Sequence, residues 1–197
     1  MQRTDISYAL GMLLGKDLTS QLKADEISGE EFLCGFMETI SAKNTDMTMQ
    51  EASAILNPYM RQIANQKAME AIQEGENFLA ENAQKEGVIV RPSGLQYKII
   101  TAGSGRIPRQ QNRVVAHYEG RLLNGKVFDS SYKRGQPATF PVGGLIPGWV
   151  EALQLMPVGS KWQLYIPSKL GYGANGAGGD IPPNATLIFD LELINIV

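Results

Sequence analysis

Cysteine and histidine are almost missing from these 197 residues: Cys34 and His117 each stand alone. One thiol forms no intrachain disulfide. One thiol and one imidazole far apart in sequence argue against a dedicated transition-metal site. An excess of charge of one sign is missing too. The 18 basic and 20 acidic residues leave a formal charge of −2, without the concentrated basic surface that usually holds nucleic acid. No apolar run approaches the roughly 18 residues that span a bilayer. Met1-Gln2-Arg3-Thr4-Asp5 lacks the basic stretch and apolar run of a secretory signal. The simple expectation is a cytoplasmic protein, or a periplasmic one if a signal peptide was removed. What is plentiful is apolar material, 43% of the chain against 19% charged, enough for a buried core.

That material is distributed with two periods. Ile6, Ala9, Leu10, Leu13, Leu14 and Leu18 recur at helical spacing. Ser28 with Glu31 fits a capping box ahead of an apolar face of Phe32, Leu33, Phe36, Met37 and Ile40. Cys34 lies on that stripe, where a buried, inert thiol is expected. Thr48 with Glu51 fits a second capping box and opens a long third helix, expected from about residue 48 to about residue 86. Pro58 should kink it or mark a restart. Such a helix outruns what two short helices can cover, so it is a candidate for pairing with a second chain, with a self-contained three-helix bundle as the alternative. Gly87 is expected at its C-cap, with Val88 to Ser93 as a connector.

Beyond residue 93 the period becomes two. Leu95, Tyr97 and Ile99 alternate with polar residues, as do Trp162, Leu164 and Ile166. Leu187, Phe189, Leu191 and Leu193 follow the same rule. Asn124-Gly125 signals a type I′ hairpin, and Gly148 to Met156 a short helix. The expected fold class is α+β: helical residues 1–87, then residues 88–197 as an antiparallel sheet of about five strands wrapped on one short helix.

Two motif-like stretches lead nowhere. Gly120 to Lys126 matches the start of a phosphate loop, but Val127 stands where the magnesium-binding Ser or Thr belongs. Gly171 to Gly179 lacks the spacing of a dinucleotide loop and reads as a flexible surface loop. His117 sits in the apolar run Val114 to Tyr118 with no nucleophile at a motif spacing, and a structural role is favoured.

Five segments, in order, resemble the FKBP family of peptidyl-prolyl cis-trans isomerases. They are Val114 to Gly120, Gly125-Lys126-Val127-Phe128-Asp129-Ser130-Ser131, Leu145-Ile146-Pro147-Gly148-Trp149, Gly171-Tyr172-Gly173, and Ile181 to Leu187 with Phe189. The N-terminal half, through Glu81 to Val88 and Ser93 to Tyr97, resembles the dimeric, bacterial Mip-like subgroup. The resemblance implies an isomerase that binds proline-containing client polypeptides, forms a homodimer through its N-terminal helices and needs no cofactor. Macrolides are the inhibitor class it implies. A chaperone that holds unfolded chains through the same domain is the alternative. The implied catalytic residues are Tyr118, Asp129 and Tyr172. Those implied for substrate binding are Phe128, Arg134, Phe140, Leu145, Ile146, Trp149, Ile181 and Phe189. The sequence departs from the family at Ala138, where many members carry an aromatic residue, at Ala177, and in the short segment Pro141 to Leu145, which opens one wall.

Overall fold

The computed structural model describes residues 3–21, 28–41 and 45–197. By its contacts the chain divides into two compact units, residues 1–66 and 67–197. The second unit therefore begins well before residue 87.

The first unit contains α1 (Arg3–Gln21), α2 (Gly29–Ile40) and the N-terminal part of α3 (Met49–Asn82). Both expected caps form. The Glu31 N–H donates to Ser28 Oγ at 3.3 Å. At Thr48 the box is reciprocal: the Thr48 N–H donates to Glu51 Oε2 at 2.8 Å and the Glu51 N–H to Thr48 Oγ at 3.2 Å. Helix α3 continues through Pro58 without a break. Cys34 is exposed, contrary to expectation. Its thiol lies 3.7 Å from Glu38 Oε1, and the nearby Glu38 charge pushes its pKa up, away from reactivity. Leu10, Leu13, Phe32, Leu33, Met37 and Ile40 are also exposed.

The second unit is built on an antiparallel sheet of seven strands rather than about five: β1 (Val88–Val90), β2 (Gln96–Thr101), β3 (Arg113–Leu122), β4 (Val127–Ser130), β5 (Ala138–Pro141), β6 (Lys161–Ile166) and β7 (Leu187–Ile196). The order is β1-β2-β6-β7-β3-β4, and β5 also pairs with β3. Helix α4 (Pro147–Leu153) buries Trp149, Ala152 and Leu153. Inward residues of β3, β6 and β7, among them Val114, Ala116, Leu164, Leu191 and Leu193, complete one core.

The departures have local causes. The expected connector after residue 87 contains β1, because Val88, Ile89 and Val90 pair with Lys98, Tyr97 and Gln96. Ile99 is exposed although it pairs in register with buried Trp162, and the register of β2 slips just after it, between Ile99 and Thr101. Helix α3 ends at Asn82, before residue 86. There the Asn82 amide is buried and donates to Gln96 Oε1 at 2.9 Å, while Gln96 Nε2 donates to Leu79 O at 2.8 Å. Phe78 meets Tyr165 at 5.9 Å, so Tyr165 is buried although it points away from the main core. The Asn124-Gly125 turn is not type I′, since only Gly125 has positive φ (84°). The Gly125 N–H donates to Leu122 O and the Leu122 N–H to Lys126 O, both at 3.0 Å. This is a longer loop closed by a left-handed glycine.

Candidate active site

Strand β3 alternates part-buried and buried residues, so Tyr118 and Gly120 face inward while His117 and Glu119 face out. Its neighbours bring Phe128 on β4, Phe140 on β5 and Phe189 on β7 to the same side. Helix α4 seats Trp149 among them. The Trp149 ring stands nearly at right angles to Tyr118 (5.3 Å, 83°), Phe140 (5.8 Å, 82°) and Phe189 (5.2 Å, 84°). Phe128 stands edge-on to Phe189 at 5.6 Å and 83°. Edge-to-face packing holds the angle between rings as well as their separation. The rings therefore frame a cavity instead of filling it.

That cavity has a volume of about 330 Å³. It is lined by Tyr118, Phe128, Asp129, Phe140, Leu145, Ile146, Trp149, Tyr172, Ile181 and Phe189. Arg134 is the one residue singled out from the sequence that does not line it. Ala177, Gly178 and Asp180 also line the wall, so the Gly-rich stretch read as a surface loop encloses the site. Ala177 and Ile181 exchange two backbone hydrogen bonds, at 2.9 and 3.0 Å, across Gly178-Gly179-Asp180. Positive φ at Gly178 (60°) and Gly179 (75°) lets this tight hairpin close. Glycines flanked by the implied pocket residues Tyr172 and Ile181 were the available signal.

One polar corner interrupts the apolar lining. Tyr118 Oη donates to Asp129 Oδ2 at 2.5 Å, and Arg134 donates to both Asp129 Oδ1 and Tyr118 Oη, the latter at 2.7 Å. The guanidinium also lies 5.5 Å from the centre of the Tyr118 ring. Burial works to raise the Asp129 pKa, but hydrogen bonds from Tyr118 and Arg134 outweigh it and hold the carboxyl below its ordinary value. Tyr118 is pushed up by burial and by its bond to Asp129. Tyr172 is pushed up by burial and by the charge of Asp129. Both phenols thus keep their protons. Behind this corner, buried Ser131 accepts from the Tyr118 N–H at 2.7 Å and donates to Tyr118 O at 3.1 Å. His117 Nδ1 lies 2.9 Å from Ser131 Oγ, and its ring stacks on Tyr132 at 4.6 Å. Ser131 and His117 thereby fix the strand and lie outside the cavity lining.

The description FKBP-type peptidyl-prolyl cis-trans isomerase matches residues 104–194, and that of the domain amino terminal to this isomerase matches residues 3–99. The chain is 43% identical over 194 residues to the FKBP-type 22 kDa peptidyl-prolyl cis-trans isomerase of Escherichia coli K12, covering 97% of this chain and 94% of the relative. It is 41% identical to the outer membrane protein MIP of Legionella longbeachae, covering 97% and 84%. The crystal structure of FkpA from Escherichia coli superposes with a TM-score of 0.73 at 33% identity, covering 98% of this chain and 95% of that one. Among the described residues no helix is long and apolar enough to cross a membrane. The relative named as an outer membrane protein gives the cytoplasmic expectation no support. On its own residues, its cavity and these relatives together, the chain belongs to the FKBP-type peptidyl-prolyl cis-trans isomerases, enzymes that rotate X–Pro peptide bonds.

Proposed function

We propose that the proline ring of a client polypeptide enters the aromatic cavity over Trp149, between Phe128, Phe140 and Phe189. The carbonyl before the proline then faces the Tyr172 hydroxyl, and the backbone N–H of Ile146, at the N-terminus of α4, receives the proline's own carbonyl. The barrier to rotation, about 18–20 kcal/mol, comes from amide resonance. Twisting removes that resonance and its charge separation. A dry, ring-lined cavity therefore disfavours the planar amide relative to the twisted one. No covalent bond to the enzyme is required. Asp129, clamped by Arg134, holds the Tyr118 ring as one wall. The observation that carries this reading is the set of right-angled rings around Trp149, which leaves a space lined by apolar faces, with Tyr118, Asp129 and Tyr172 adding polar groups to the lining.

Isomerisation of a Leu-Pro tetrapeptide tests the assignment. A hydrogen bond to a neutral donor is worth about 1 kcal/mol, so Tyr172→Phe should keep the fold and lose about fivefold in kcat/KM. Asp129→Ala removes the acceptor for both Tyr118 and Arg134 and should lose more. Unchanged rates in both folded variants would remove these residues from the mechanism.

We further propose that residues 1–87 serve dimerisation and residues 88–197 catalysis. The exposed Leu10, Leu13, Phe32, Leu33, Met37 and Ile40 support a second copy as the partner of the helical unit. Similarity to the Legionella longbeachae protein supports a periplasmic location.

A further inference from the structure

Two ion pairs stand at the cavity, and they are oriented alike. Asp129 pairs with Arg134, and Asp180 pairs with Lys126 at 2.8 Å. In each pair the acidic residue is among those lining the cavity and the basic one is not. Although each pair is neutral, each sets its acidic member on the cavity side. The low-dielectric aromatic walls strengthen the resulting field inside the cavity.

The two carboxylates differ in how firmly they are held. Asp129 also accepts from Tyr118 at 2.5 Å. Asp180 has Lys126 as its partner, and the two side chains are 62% and 53% exposed. An exposed pair of this kind is weak and screened by water and salt, so an incoming cation competes for the carboxylate on nearly even terms. The backbone beneath Asp180 is better fixed. It is the last residue of the turn between Ala177 and Ile181, whose two hydrogen bonds close the hairpin. Tyr172, the proposed donor to the carbonyl preceding proline, lies on the same loop. In that binding mode the residue that owns the carbonyl lies beside this loop, on which Asp180 also stands.

We propose that Asp180 is a specificity-determining residue, selecting X–Pro segments in which X is lysine or arginine and rejecting those in which X is aspartate or glutamate. Lys126 moderates the selection by shielding the carboxylate. This inference rests on the binding mode proposed above. The role is one of recognition: a cation at X gains the same interaction in the planar and twisted states, so the effect appears in KM and leaves kcat little changed.

The test uses the full chain and three tetrapeptides with Leu, Lys or Glu before proline, at low and high salt. Each Lys and Glu rate is divided by the same variant's Leu rate, so any general effect of a substitution cancels. The wild-type protein should favour Lys over Glu. In Asp180→Asn that ratio should fall by about fivefold, and in Lys126→Gln it should rise. High salt should shrink the wild-type preference. An equal ratio in the wild-type protein and Asp180→Asn, or a lower one in Lys126→Gln, overturns the role of Asp180 while Leu-Pro catalysis persists. Absence of Leu-Pro catalysis in the wild-type protein would instead sink the binding mode itself.

Discussion

Asp129 and Tyr172 differ in what pH does to them, and the difference yields a profile. The Asp129 carboxyl is held below its ordinary value in the folded protein, with burial opposing and the bonds from Tyr118 and Arg134 prevailing. The interactions of its charged form are therefore present above the ordinary carboxylate range and are lost only as pH falls through the lower, folded value. Tyr172 and Tyr118 are raised by burial and keep their protons past about pH 10, the ordinary phenol value. Activity on the Leu-Pro peptide should thus be flat from the carboxylate range to alkaline pH, with its acid limb removed in Asp129→Asn. A limb in the imidazole range would place the titrating group elsewhere. At this scale the sequence was informative where a residue belongs to a family segment, as with Phe128-Asp129 and Trp149. It was silent on Asp180, because a run of glycines has no period and its path depends on backbone angles no pattern displays.

Strand β3 carries the most consequential single position among the elements. Gly120 sits beneath the Phe128–Phe189 pair, and a Cβ there would meet Phe189 at 2.5 Å and Phe128 at 2.6 Å. No unstrained contact is that short. Gly120→Ala should therefore splay the two rings, costing about 1–3 kcal/mol of stability as overpacking does, and narrow the cavity they line. Urea unfolding followed by the two tryptophans, together with the Leu-Pro rate, checks both effects; an unchanged midpoint and rate would show that the rings yield freely. The alternation that exposes this geometry is legible for β3, β6 and β7, which have one face on the core. It fails for β1, only 3 residues long, and for the end of β2, where Ile99 is exposed although it pairs with buried Trp162. It also fails at Tyr165 and Ile188, apolar residues on the outer face that are buried nonetheless. For Tyr165 the cover includes Phe78 of α3, a contact between residues 87 positions apart that no local pattern announces.

At the level of the whole molecule, the helical unit presents far more apolar surface than a monomer needs. Phe32, Leu33, Met37 and Ile40 fall at helical spacing on α2 and are all exposed, as are Leu10, Leu13 and Leu14 on α1. Apolar residues exposed along a helix in this way mark an interaction surface, and the partner proposed for it above is a second copy of the chain, with closed two-fold symmetry. The consequence for function is avidity. In the proposed dimer, two catalytic cavities on one particle would engage successive prolines of a long unfolded client, whereas a tetrapeptide is served by one cavity at a time. Sedimentation of the wild-type protein at micromolar concentration should give a dimer, and Leu33→Lys with Met37→Lys should shift it to a monomer. The double variant should retain the tetrapeptide rate per chain, because neither residue belongs to the cavity lining. Its acceleration of proline-limited refolding should fall by up to about 100-fold, the lower end of the gain expected of linked sites. A wild-type protein that sediments as a monomer would refute the dimer. A monomeric variant that refolds the client as fast as the wild-type protein would keep the dimer and remove avidity as its purpose.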